Sequence, residues 1–148
     1  MVAETNKTRA REFMERAFNQ GDLSVVDEFL AEDGVDHQEP PGTSFRPHLR
    51  ESIIMLRTAF PDLHFEIHDM IAEGNIIAIR STMTGTHLGT LNFGAARGLP
   101  PTGHKVSVAH MYFIRIVDGL NTDLWHQWDI PGMMRQLGVM PEQQRRPA

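Results

Sequence analysis

A chain of 148 residues, 41% of them apolar, has the size and composition of one globular domain, here residues 1–148, with an ordinary core. A net charge of −5 with no basic cluster, Arg145-Arg146 lying in a Pro-ended tail, argues against nucleic acid or an anionic membrane as partner. Zero cysteine excludes disulfides and thiolate metal sites, no run approaches the ~20 apolar residues of a membrane span, and the polar N-terminus has no signal-peptide core, so a cytoplasmic location is expected.

The first element is a predicted helix near residues 6–20, where Ala10, Phe13, Met14, Ala17 and Phe18 recur at helical spacing. Gly21 signals its end, and Asp22 caps a second, short helix that buries Leu23, Val26 and Leu30. Residues 33–42 read as a turn-rich segment carrying Asp36 and His37. Pro47 suits the first turn of a third helix, whose stripe is Leu49, Ile53, Leu56 and Phe60 and which Pro61 stops. After Pro61 the period drops to two. Leu63, Phe65 and Ile67 alternate with His64, Glu66 and His68, and Glu73-Gly74-Asn75 is a hairpin turn. A long strand follows from Ile76 to about His87, then a Gly/Pro-rich loop to Gly103, then a strand from about Val106 to Val117. Asp118-Gly119 turns the chain back through a strand containing Leu124, Trp125 and Trp128, and Asp129-Ile130-Pro131-Gly132 opens a last helix ended by Gly138. The expected architecture is α+β: three helices, then four long antiparallel strands over residues 62–129 in one curved sheet. The tail, residues 141–148, is expected to be flexible.

The chemistry concentrates between Asp123 and Asp129, where two tryptophans, a histidine and two aspartates fall within seven residues. Large aromatics beside titratable groups suit a pocket wall. Trp125 and Trp128 lie on opposite sides of a regular strand. Asp129 caps the last helix, faces a cavity, or does both. His110 and Tyr112 share an apolar strand face, either as satisfied core groups or as the polar spot of a small-molecule site. Counting outward from Asp118-Gly119 brings His126 near Tyr112, and apolar walls would keep that imidazole neutral and base-competent. The competing register points Asp123, Trp125, Gln127 and Asp129 inward instead. His87 ends its strand at a possible cavity rim, and Asp36 and His37 could close the same mouth. No metal site is expected: His64, Glu66 and His68 share a strand face, but alternate residues sit ~6.6 Å apart and splay too widely for one ion.

Taken in order, Ala59-Phe60-Pro61-Asp62-Leu63, Gly85-Thr86-His87-Leu88-Gly89, Pro100-Pro101-Thr102-Gly103, Val117-Asp118-Gly119, Trp125-x-x-x-Asp129 and Arg135-Gln136-Leu137-Gly138 resemble the SnoaL-like polyketide cyclases and their ester-cyclase relatives. The resemblance implies a cone-shaped fold of the nuclear-transport-factor-2 and cystatin-like type, a curved antiparallel sheet whose apolar pocket is closed by the N-terminal helices. It also implies ring closure by intramolecular aldol condensation, without metal or cofactor, driven by an acid/base aspartate. That aspartate aligns with His126, and the family's preceding-strand histidine aligns with Tyr112.

Two functions follow as expectations. One is a cofactor-free enzyme, a cyclase or a related lyase, isomerase or hydrolase, acting on an apolar carbonyl compound or ester. His126 is then the base, Tyr112 and His110 polarise the carbonyl, Asp129 or Asp36 orients the histidine, and Asp36, His37, His87, Trp125 and Trp128 bind substrate. The other is a non-catalytic module that sequesters an apolar metabolite. A homodimer is expected through the outer sheet face, where Ala109, Met111 and Phe113 oppose His110 and Tyr112.

Overall fold

The structure is a computed structural model that describes residues 2–93 and 97–139; the tail at 141–148 lies outside them. The first helix, α1, spans Val2–Met14 and continues as a π-helical turn, Glu15–Asn19. The wider turn lets Asn19 reach the sheet, where its side chain accepts from the Phe65 amide (2.7 Å) and donates to the Phe65 carbonyl (3.2 Å). Gly21 ends the helix with φ 74°, a left-handed conformation that suits glycine. Asp22 then accepts from the amide (3.0 Å) of Ser24, the residue before α2 (Val25–Phe29), so it organises the approach to that helix. Helix α3 (Phe45–Ala59) buries Leu49, Ile53 and Leu56 of the predicted stripe and also Phe45, while Phe60, the fourth predicted member, is its buried C-cap.

Among the described residues the sheet has five strands, one more than the sequence pattern predicts. They are β1 (Leu30–Asp36), β2 (His64–Glu73), β3 (Ile76–Thr86), β4 (Lys105–Val117) and β5 (Leu120–Trp128), in spatial order β1-β5-β4-β3-β2. The missed strand, β1, corrects two readings: α2 stops at Phe29, leaving Leu30 on a strand, and the turn-rich segment begins only after Asp36. Its sequence, Leu-Ala-Glu-Asp-Gly-Val-Asp, has weak β-propensity, and pairing with the distant β5 makes it a strand. The β1–β5 pairing is parallel, and the other three are antiparallel. Burial alternates along β4 as predicted: Val106, Val108, His110, Tyr112, Ile114 and Ile116 are buried, and their neighbours face outward. His64, Glu66 and His68 are exposed on β2.

The β4–β5 hairpin decides what faces inward. Asp118 (φ 52°) and Gly119 (φ 80°) form a two-residue turn with both φ positive, the twist-matching hairpin geometry. Ile116 pairs with Asn121, but Arg115 pairs with Asp123, so Thr122 is an extra residue in β5. Beyond this bulge Tyr112 sits opposite His126. A hairpin without the bulge would shift each partner by one and bring Trp125 there instead. Leu124, His126 and Trp128 thus face the helices, and Trp125 faces away.

Candidate functional site

The concave face of the sheet and the helices over it enclose a cavity of about 530 Å³, within the range of small-molecule sites. Its walls are largely apolar: Phe13, Met14 and Phe18 from the N-terminal helical segment, Leu49 and Met55 from α3, and Ile79 and Ile114 from the sheet. Asp36, His110, Tyr112, His126 and Trp128 also line it.

Four rings are layered on the sheet side. His126 stacks on Tyr112 (4.4 Å between centroids, 10° between planes), and His110 lies 5.1 Å from His126 and 4.8 Å from Trp128. His110 Nδ1 is 3.0 Å from His126 Nε2 and 3.0 Å from the Tyr112 hydroxyl. His110 and Tyr112 are nearly sealed, at 1% and 7% exposure, whereas His126 is only partly covered. His126 is therefore the imidazole a ligand can reach, and the other two stand behind it. Burial pushes the pKa of His126 down to about 4, although the charge of Asp36 pulls it upward. Burial, reinforced by His126, takes His110 down to about 2, and burial holds Tyr112 well above the ordinary phenol range. All three are neutral at pH 7.

Asp36 supplies the negative charge. Burial pushes its pKa up, but hydrogen bonds from His48 and the Gln38 amide outweigh burial and leave it below the usual carboxylate value. Its side chain is 7% exposed; His48 Nε2 lies 3.3 Å from Oδ2 and 3.4 Å from Glu39 Oε1. The Asp36 hydrogen bond is the largest cause of the raised pKa of His48. The donor atoms of Asp36, Glu39 and His48 lie within 4.8 Å of one another, a grouping that could hold a cation. The same grouping places His48 between two carboxylates that both raise its pKa. The sequence reading missed His48 and Glu39. The available signal was His48, Ser52 and Met55 at i, i+4 and i+7, a second α3 face beside the apolar stripe, and all three line the cavity.

Four expected site residues lie elsewhere. Asp129 is the N-cap of α4 (Ile130–Gln136): it accepts from the Gly132 amide at 2.9 Å and faces solvent. Trp125 is on the outer face, stacked on His37 (4.5 Å, 3°), whose Nε2 lies 2.9 Å from Asp123 Oδ2. The bulge at Thr122 puts Trp125 outside, and His37 follows it there because it sits just past the end of β1, beside β5. His87 is fully buried but does not line the cavity. Its Nδ1 accepts from the Thr102 amide (3.1 Å) and lies 2.9 Å from the Thr102 hydroxyl, so it pins the loop after β3.

The buried histidines have a consequence for stability. An unfolded chain protonates them near pH 6.5, whereas the folded chain withholds those protons until pH falls toward 4 at His126 and 2 at His110. Folding stability should therefore decline from pH 6.5 to 4, by on the order of 1–3 kcal/mol per pH unit for the pair. His48, with its raised pKa, has the opposite sign: its contribution is complete below 6.5 and lost as pH rises through its folded value. Asp36, with its lowered pKa, loses its contribution only as pH falls below 3.8. Urea unfolding at pH 7, 6 and 5 checks this, and constant stability over that range would contradict the neutral pair.

With the geometry established, similarity to known proteins is informative. The profile of the SnoaL-like polyketide cyclases matches residues 8–137. Aklanonic acid methyl ester cyclase DnrD of Streptomyces peucetius is 30% identical over 132 residues, which cover 84% of this chain and 86% of that protein. Aklanonic acid methyl ester cyclase DauD of Streptomyces sp. strain C5 is also 30% identical, over 84% of this chain and 77% of its own length. Among solved structures, TsrD from Streptomyces laurentii superposes with a TM-score of 0.80 at 26% identity, covering 93% of this chain and 97% of TsrD. The chain belongs to the SnoaL-like polyketide cyclase family.

Proposed function

We propose that this protein closes a ring in an apolar polycarbonyl ester by cofactor-free acid/base chemistry, with His126 and Asp36 dividing the proton transfers. The observation that carries this reading is a reachable neutral imidazole and an ionised carboxylate on the wall of one largely apolar cavity. An aldol closure needs those two groups. A base removes a proton from carbon beside a carbonyl, and a donor stabilises the oxyanion that forms. The new carbon–carbon bond then forms within the substrate, and the proton returns to the attacked carbonyl oxygen. His110 and Tyr112 act as positioning residues behind His126, and Trp128 supplies an aromatic wall.

Incubation with aklanonic acid methyl ester, the compound named for DnrD and DauD, tests the reading. The expected product has an unchanged mass and one ring more. The flat stack of His126 on Tyr112 also suits a module that only holds a planar ligand. Tight binding of the ester without conversion, unaffected by His126→Ala, would favour that second reading.

We also propose that a second copy of the chain covers the outer face of the sheet. Met111 (56% exposed) and Phe113 (53%) lie side by side there, a patch that self-complementary two-fold pairing would bury. Sedimentation at micromolar concentration should show a dimer, and Met111→Lys with Phe113→Glu should yield a folded monomer. A wild-type monomer would refute the proposal.

A further inference from the structure

We infer that His126 meets the substrate as a hydrogen-bond donor, its proton held on Nδ1 by the buried His110, and that Asp36 is the group that takes the substrate's proton. The division of labour rests on the ring-closing reading above; the tautomer of His126 does not.

The argument is an accounting of protons in a sealed network. His110 Nε2 is buried without a hydrogen-bond partner among the described residues. His110 Nδ1 is shared by His126 Nε2 and the Tyr112 hydroxyl, each at 3.0 Å. The Ser81 hydroxyl donates to the His110 carbonyl (3.3 Å) and is hydrogen-bonded to Tyr112. A neutral His110 carries one ring proton. If that proton were on Nε2, a donor would be orphaned in the core, and His126 and Tyr112 would compete for the single lone pair on Nδ1. If it is on Nδ1, it is shared by His126 Nε2 and the Tyr112 oxygen, and Tyr112 donates in turn to Ser81. Only an acceptor lone pair on Nε2 then stays unpaired, and buried proteins tolerate orphaned acceptors better than orphaned N–H groups. The second arrangement is the one the network satisfies.

The consequence passes to His126. Its Nε2 accepts from His110, so its own proton must be on Nδ1, the nitrogen left for a ligand. A neutral imidazole presenting N–H cannot serve as the base at that atom, but it can polarise a carbonyl, as neutral histidines do in other enolising sites. Tyr112 is too deeply buried to ionise. Among the carboxylates lining the cavity, Asp36 is the one whose charge acts on His126 from a dry setting, its side chain 7% exposed. His48 and the Gln38 amide each hold one of its oxygens, and a carboxylate oxygen has a second lone pair to offer.

The steps balance within the substrate. The Asp36 carboxylate takes a proton from carbon beside a carbonyl, and the C–H electron pair moves into an enolate whose oxygen accepts from His126 Nδ1–H. The enolate carbon bonds to the second carbonyl carbon. That carbonyl's oxygen then recovers the proton from Asp36, leaving the site as it began.

Long-range proton–nitrogen NMR on the ¹⁵N-labelled protein reads the tautomer without any substrate, and His126→Gln assigns the His126 ring. The expected pattern is a protonated Nδ1 and an unprotonated Nε2 on both His110 and His126. A protonated Nε2 on His126 would overturn the inference and return the base role to His126. Turnover separates the two readings again. If His126 is a donor, His126→Gln, which keeps an N–H, should retain at least tenfold more rate than His126→Asp, and Asp36→Asn should lose roughly 10²–10⁴-fold. The reverse order of Gln and Asp would make His126 the base. If neither His126 nor Asp36 variants lose rate, the division of labour between them fails; if the wild type itself does not convert the ester, the ring-closing reading fails, and the NMR still decides the tautomer.

Discussion

Replacing His126 by alanine should lower the ring-closing rate by roughly 10²–10⁴-fold, the span for losing an acid/base group. Losing a preorganised donor at a developing oxyanion costs about 10²–10³-fold, so the expectation holds whichever ring nitrogen carries the proton. The size follows from the surroundings. His126 is partly exposed to the cavity, whereas His110 and Tyr112 are sealed behind it and cannot substitute for it. The fold should survive, because the Ile114–Leu124 and His110–Trp128 pairs remain on either side and the β4–β5 ladder is backbone-bonded. Near-ultraviolet circular dichroism and a melting curve would verify folding, and initial rates on aklanonic acid methyl ester would give the loss. Trp125→Phe, on the outer face, is the matched control and should keep the wild-type rate. Equal rates for His126→Ala and the wild type would reduce His126 to a piece of wall.

Inserting one glycine after Thr122 should be more disruptive than any single substitution at the site. Thr122 is the extra residue between the Ile116–Asn121 and Arg115–Asp123 pairs. Its hydroxyl also lies within hydrogen-bonding distance of Asp123 Oδ1 (2.7 Å), and Asp123 accepts from Arg115 (3.0 Å). Deleting Thr122 would only close the bulge and leave Tyr112 opposite His126, whereas an added residue beside an unchanged bulge slips β5 by one, and a slip of one turns every side chain to the opposite face. Leu124, His126 and Trp128 would point outward, and Asp123, Trp125 and Gln127 would enter the cavity. Removing Leu124 from the core alone costs on the order of 2–5 kcal/mol, and burying the Asp123 carboxylate away from Arg115 adds to that. A domain of this size has only about 5–15 kcal/mol in total. The insertion should therefore lower the melting temperature by tens of degrees or prevent folding, and abolish activity. Thr122→Ala, which keeps the residue count, should stay folded with the register intact. An insertion variant that melts like the wild type and remains active would show that the spacing at the bulge does not set the register.

The two variants mark where sequence reasoning ends. Helices α1 and α3, strands β2–β5 and both hairpin turns are legible locally, because a stripe such as Leu49, Ile53 and Leu56 or an alternation such as Val106 to Ile116 comes from one short segment meeting one apolar layer. Counting from Asp118-Gly119 brings His126 near Tyr112, but a plain count sets Trp125 opposite it, and the bulge that makes His126 the partner has no signature in Asn121-Thr122-Asp123. Strand β1 was not legible: Ala31 to Gly34 carries no strand preference, and pairing with a segment some ninety residues away holds it in the sheet. The same non-local placement brings Asp36 to the cavity, sends His37 to the outer face with Trp125, and delivers His48 and Glu39 to the carboxylate. Residue types and periods determine which faces are apolar. Register and strand order, which depend on contacts far apart in the chain, decide which titratable groups share the cavity.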